Sequence, residues 1–126
     1  MPVEETSPPN ARQQARQARE AHGHALQTEA QRLADAAADL GARKVILFGS
    51  LARGEAGQFS DLDLLIVWDL AQPFVQRCAH VYRLLRPRVA ADILVYTPEE
   101  METMRHRPLV RQALDEGKVL YEAQTS

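Results

Sequence analysis

Residues 45–67 constrain the fold of this chain more than any other part of the sequence. They read as an apolar strand, a glycine–serine turn, a short polar segment and a second strand that opens with Asp61 and Asp63. After these acids the second strand is almost continuously apolar, which is typical of a central strand whose two faces are both covered. The segment therefore predicts the centre of a buried sheet.

The rest of the chain supplies helices and further strands. Residues 1–10 are rich in proline and polar groups, which predicts a disordered leader. Residues 11–41 form a predicted N-terminal helical extension, with Gly23 as a candidate break, and residues 42–126 form the domain. The predicted elements are a helix over 11–40, a strand over 44–48, a short helix over 51–55, a strand over 61–68, a crossover helix over 73–85, a strand over 89–96, helices that begin at Pro98 and Pro108, and an edge strand over 118–122.

The second half of the predicted extension carries one apolar stripe. Its apolar residues recur at steps of four and three, the spacing of one helix face. They are Leu26, Ala30, Leu33, Ala37 and Leu40. Such a stripe packs either on its own domain or on another chain, and the first is favoured. The extension could cover the sheet, mediate homodimerisation or dock on a partner.

Composition excludes several classes of protein. At 126 residues the length allows a single domain. The net charge of −2 argues against a large basic nucleic-acid footprint, so we expect no direct DNA binding. The single cysteine, Cys78, excludes an internal disulfide, fits a reducing cytosol and is expected in the core. No apolar run is long enough to span a membrane and no signal peptide begins the sequence, so we expect a cytoplasmic protein without a membrane segment.

A candidate phosphate and metal site lies in the central segment. Gly49 and Ser50 follow the first strand, where backbone N–H groups at the start of a helix can bind phosphate. Asp61 and Asp63 point to one face of the second strand, about 7 Å apart along it. Asp63 lies among apolar residues, and a buried carboxylate needs a positive partner such as a divalent cation. Asp92 is a third acid in an apolar strand, and it could join this patch if the third strand lies beside the second.

The spacing of these residues resembles that of a known superfamily. The pattern Gly49-Ser50-Leu51-Ala52-Arg53-Gly54, five further residues and Ser60-Asp61-Leu62-Asp63 resembles the nucleotidyltransferases that include DNA polymerase β. It is most similar to the minimal nucleotidyltransferase (MNT) domains, small antitoxin-type proteins paired with HEPN toxins. The resemblance implies a polymerase-β-like α/β (α+β) fold, with a small mixed β-sheet flanked by helices. It also implies two Mg²⁺ ions and ATP as substrate.

Carried over by position, the resemblance gives these residues roles. The catalytic and metal-binding residues would be Asp61, Asp63 and Asp92, and Asp92 would also help to deprotonate the attacking hydroxyl. The nucleotide-binding residues would be Gly49, Ser50, Arg53 and Ser60. Arg53 would either assist at the phosphates or brace the loop through an ion pair.

The function that the resemblance implies is transfer of AMP from ATP to a hydroxyl of a partner HEPN toxin. The chain has little beyond the superfamily core, which favours a macromolecular acceptor. A tyrosine is the expected acceptor, and its modification would neutralise the toxin of a type VII-like toxin–antitoxin pair. Two alternatives stay open, namely an antitoxin that binds its toxin without catalysis and a nucleotidyltransferase of small, aminoglycoside-like molecules. The expected assembly is a homodimer or a hetero-oligomer with the toxin.

Overall fold

A four-stranded sheet with helices on both faces forms the described part of the chain. The computed structural model describes residues 10–55 and 61–124, so most of the predicted leader lies outside the described residues. None of the described helices is both long and apolar enough to cross a membrane. The elements in chain order are α1 (Ala11–Asp39), β1 (Lys44–Phe48), α2 (Gly49–Ala52), β2 (Leu62–Val67), α3 (Phe74–Leu85), β3 (Ala91–Tyr96), α4 (Pro98–Met104), α5 (Pro108–Glu116) and β4 (Lys118–Glu122).

The strand order places the predicted site at one edge of the sheet. The order is β3-β2-β1-β4, with β1 antiparallel to β2 and β4, and with β2 parallel to β3. Since β1 ends where β2 and β3 begin, the turn after β1 lies beside the acids. Asp63 is level with Phe48 of β1 on one side and with Asp92 of β3 on the other. The mixed sheet, the edge position of β4 and the pairing of the second and third strands are confirmed.

Both faces of β2 are buried, which accounts for its unbroken apolar sequence. Leu62, Leu64 and Ile66 pack in a core shared with α1, α2 and α3. Leu65 and Val67 pack in a second core, to which α4 and α5 contribute. Because successive side chains of a strand alternate between its faces, Asp63 points to the face of the second core.

Helix α1 runs through Gly23 without interruption, so the candidate break there was wrong. A glycine inside a helix costs only about 1 kcal/mol relative to alanine. Asn10 and Gln13 form a capping box that stabilises the first turn, and buried side chains hold the helix from Leu26 onward. The alanine-rich stripe packs on the chain's own sheet, as favoured, although Leu40 at its end is 51% exposed.

Three predicted boundaries differ from the structure by two or three residues. The short helix α2 begins at Gly49 rather than at residue 51 and ends at Ala52 rather than at residue 55. The third strand begins at Ala91 rather than at residue 89. Gly49 has φ = 77°, a left-handed conformation that turns the chain directly after β1. This turn explains the earlier start of α2.

A buried arginine, which the sequence pattern did not single out, joins α3 to α4. Arg77 is 4% exposed, and its Nη1 donates to the Val95 carbonyl oxygen at 2.9 Å and to Glu100 Oε1 at 2.6 Å. Its Nη2 donates to the Gln72 carbonyl oxygen at 2.9 Å. The hydrogen bond from Arg77 is the main cause that lowers the pKa of Glu100. A buried charge requires a partner and hydrogen bonds, so this ion pair holds α4 against α3 and β3.

Candidate active site

Two of the three predicted acids lie side by side. Asp63 and Asp92 are paired in the parallel register of β2 and β3, so their side chains lie on the same face of neighbouring strands. Asp63 is half-buried, whereas Asp61 and Asp92 are exposed. Burial raises the pKa of Asp63, the negative charges of Asp92 and Asp61 raise it further, and Arg53 lowers it. The site therefore concentrates negative charge that a cation would relieve.

Gly49 brings the turn after β1 directly against Asp63. A Cβ atom added to Gly49 would contact Oδ2 of Asp63 and lie 3.0 Å from its Cγ and 3.3 Å from its Cβ. The left-handed φ of Gly49 is a second reason for glycine at this position. The structure thus confirms that the glycine–serine turn and Asp63 adjoin, and glycine is the residue that leaves the carboxylate room.

Ser50 and Arg53 lie on the two sides of this turn. The Ser50 carbonyl oxygen accepts a hydrogen bond from the Glu55 backbone N–H at 2.8 Å, and within the described residues its hydroxyl makes no hydrogen bond. Arg53 forms ion pairs with Glu55 at 3.1 Å and Glu116 at 3.8 Å. Such ion pairs are the contacts expected if Arg53 braces the loop, and both of its predicted roles stay predictions. Ser60, also predicted to bind nucleotide, lies outside the described residues.

The chemistry of these acids fits a divalent cation. Mg²⁺ prefers carboxylate oxygens, and it commonly uses one or two of them together with phosphates and water. Asp63 and Asp92 supply such oxygens side by side, and the missing side chain at Gly49 leaves room for the Asp63 carboxylate. In the part of the chain that is described, no three histidine, cysteine or acidic side chains are grouped closely enough to hold a metal ion. Asp61 acts on Asp63 through its charge alone.

A groove that the sequence did not reveal is lined by Asp63 and Asp92. It has a volume of about 620 Å³ and is also lined by residues of α3 and by Leu109 near the start of α5. An apolar groove beside a carboxylate whose pKa is raised is the usual form of a substrate site. Cys78, expected in the core, packs partly in the core and also lines this groove. The lining residues are Phe48, Asp63, Cys78, Ala79, Tyr82, Arg83, Ala91, Asp92, Ile93, Leu94 and Leu109.

Sequence comparison agrees with the geometry of the turn and the acids. The family model described as nucleotidyltransferase domain matches residues 30–122. The chain belongs to this nucleotidyltransferase family. The match begins inside α1 and includes the last ten residues of that helix. The predicted superfamily is confirmed.

One relative in sequence and two solved structures are similar to this nucleotidyltransferase. A Methanocaldococcus jannaschii protein named as a candidate protein adenylyltransferase is 38% identical over 80 residues, which are 63% of this chain and 78% of the relative. The crystal structure of a candidate nucleotidyltransferase from Sulfolobus solfataricus has a TM-score of 0.62 and 18% identity, covers 83% of this chain and 87% of its own, and confirms the fold. A toxin–antitoxin structure with AMP-PNP has a TM-score of 0.49 and 18% identity over 75% of this chain and 74% of its own.

Proposed function

We propose that this nucleotidyltransferase is a protein adenylyltransferase that transfers AMP from ATP to a tyrosine hydroxyl of a partner HEPN toxin and so acts as its antitoxin. The observation that carries the proposal is the Asp63–Asp92 pair held against the Gly49 turn. The name of the M. jannaschii relative supports protein as the acceptor class. The HEPN partner and the tyrosine acceptor follow from the resemblance of the glycine–serine motif to MNT domains.

The proposed reaction assigns a task to each part of the site. The turn at Gly49 and Ser50 would hold the β- and γ-phosphates of ATP, and Asp61, Asp63 and Asp92 would hold the metal ions. Two bound Mg²⁺ ions would supply charge that stabilises both the attacking and the leaving oxygen. The acceptor oxygen forms a bond to the α-phosphorus as the bond from that phosphorus to the β-phosphate oxygen breaks. Pyrophosphate leaves, and the exposed carboxylate of Asp92 accepts the hydroxyl proton.

The proposal is tested by incubating the purified chain with Mg²⁺, ATP labelled in its adenosine and a co-encoded HEPN protein. We expect label on a tyrosine of the HEPN protein, reduced by at least about 100-fold in Asp63→Asn and in Asp92→Asn, because loss of one electrostatic group at a reacting centre has effects of this size. Asp69→Asn is the matched control, since Asp69 is an exposed acid just beyond the opposite end of β2. It should transfer AMP as the unchanged chain does.

The same assay separates the two alternative functions. Neutralisation of the toxin without label, retained in Asp63→Asn, would identify an antitoxin that acts by contact and would refute the proposed transfer. Label on aminoglycoside-like molecules and none on the protein would identify a small-molecule enzyme. Equal labelling by Asp63→Asn and Asp69→Asn would show that the acid pair does not carry the reaction.

A further inference from the structure

We propose that the groove between α3 and the start of α5 binds the acceptor, and that it selects a tyrosine side chain flanked by acidic residues on the partner protein. This inference rests on the proposed function and adds to it the location of the acceptor and the residues that select it. The groove is lined by Asp63 and Asp92, by Tyr82 and Arg83 of α3 and by Leu109 of α5.

The order of the strands decides which substrate occupies the groove. From β1 through β2 to β3, the chain presents the Gly49 turn, then Asp63, then Asp92, on strands spaced about 4.8 Å apart. With the leaving pyrophosphate at the turn, an in-line displacement requires the attacking oxygen on the opposite side of the α-phosphorus. That side is the β3 side, where Asp92 and most of the residues that line the groove lie, although Phe48 of β1 also lines it. The groove is therefore on the acceptor side of the site.

The walls of the groove suit an aromatic acceptor. Phe48, Leu94 and Leu109 give it apolar surface, and Leu109 and Tyr82 are 44% and 41% exposed. An exposed aromatic ring and an exposed leucine bury apolar area when a flat ring lies between them, and aromatic pairs gain about 0.5–1.5 kcal/mol beyond that area. A phenol ring in this groove would direct its hydroxyl toward the carboxylates. A small aliphatic alcohol would leave most of the walls exposed.

The rim of the groove supplies positive charge. Arg83 lines it, and its side chain is exposed. Within residues 10–55 and 61–124, Arg83 forms no ion pair, unlike Arg53 and Arg77. An unpaired arginine beside an apolar groove complements an acidic residue of a bound peptide.

Cys78 allows binding in the groove to be measured without catalysis. It is the only cysteine of the chain and lines the groove, so a thiol reagent reports on this one surface. The probes are two capped pentapeptides, Asp-Glu-Tyr-Glu-Asp and Lys-Lys-Tyr-Lys-Lys, and ATP alone. We expect the acidic peptide to slow thiol labelling at concentrations at which the basic peptide has little effect. Protection by ATP alone, with none by the peptide, would identify the groove as a nucleotide site and overturn the inference.

Charge reversal on the rim provides the decisive comparison. Arg83→Glu should raise the acidic peptide concentration needed for half-protection by about threefold, the size of one exposed ion pair, and should lower it for the basic peptide. Arg83→Gln should have an intermediate effect and covers any loss of folding in Arg83→Glu. Arg12→Glu, an exposed arginine at the start of α1, is the matched control and should change neither value. Equal shifts in Arg12→Glu and Arg83→Glu would overturn the inference.

The outcomes distinguish this inference from the proposed function. Protection by the acidic peptide without AMP transfer to any tyrosine would leave the groove as a peptide site and refute the proposed chemistry. AMP transfer to the acidic peptide without protection of Cys78 would retain the chemistry and refute the groove as the acceptor site.

Discussion

Replacing Gly49 with alanine should abolish AMP transfer, because the new methyl group would occupy the space next to the Asp63 carboxylate. The added Cβ would contact Oδ2 of Asp63 and lie 3.0 Å from its Cγ, so the carboxylate must move. Displacing a reacting group by about 1 Å can cost about 100-fold in rate. We therefore expect at least a 100-fold loss of transfer in Gly49→Ala.

The loss of stability in Gly49→Ala has two causes, backbone strain and the clash with Asp63, and Gly54→Ala is the control that separates them. Gly49 and Gly54 have nearly the same left-handed φ, 77° and 74°. A side chain in this conformation costs about 1–2 kcal/mol, and this cost applies to both substitutions. At Gly54 no described atom lies within 4 Å of the added Cβ. The clash is therefore specific to Gly49→Ala, and overpacking adds about 1–3 kcal/mol.

The assay compares the two variants side by side. Denaturant unfolding should show Gly54→Ala destabilised by about 1–2 kcal/mol and Gly49→Ala by about 2–5 kcal/mol. Transfer is measured well below either unfolding transition, so that both variants are folded. Gly54→Ala should keep most of its activity. If both variants lost activity equally, backbone strain rather than contact with Asp63 would explain the requirement for glycine, and the reasoning would be wrong.

Four further predictions concern stability. Asp63→Asn should raise Tm in the absence of divalent cations, because it removes a half-buried charge beside Asp92. It should also abolish stabilisation by Mg²⁺. A sharp fall in Tm without metal would instead show that Asp63 has a structural role. Glu29 has a pKa lowered from 4.5, mainly by the hydrogen bond from Arg32, so its contribution is present above about pH 4.5 and is lost as the pH falls further. Denaturant unfolding from pH 6 to 3 should therefore show a shallower loss of stability in Glu29→Gln. Arg77→Met should lower the unfolding free energy by about 3 kcal/mol, since it leaves Glu100 and two backbone carbonyls without their donor, and Arg77→Lys should not restore it fully. Gly23→Ala should raise the unfolding free energy by up to about 1 kcal/mol without changing transfer, because no described atom lies within 4 Å of its added Cβ.

Local features made several parts of the fold predictable. The apolar run of β2 and the prolines at the starts of α4 and α5 act on the residues next to them in the chain. From these features the ends of the helices and strands were predicted to within two or three residues. Gly23 was misjudged because a propensity of about 1 kcal/mol is smaller than the gain from burying the rest of α1.

The sequence by itself determined the motif, the order of the elements and the residue types at the site, because turn chemistry, periodicity and a fixed spacing are properties of nearby residues. Only the tertiary structure decided that Asp63 faces Asp92, that Gly49 lies against Asp63 and that α3 and α5 enclose a groove. Those contacts depend on strand register and on helix packing between distant segments of the chain. The groove is the clearest case, since Tyr82, Arg83 and Leu109 form no pattern along the chain and become neighbours only when α3 and α5 fold against the sheet.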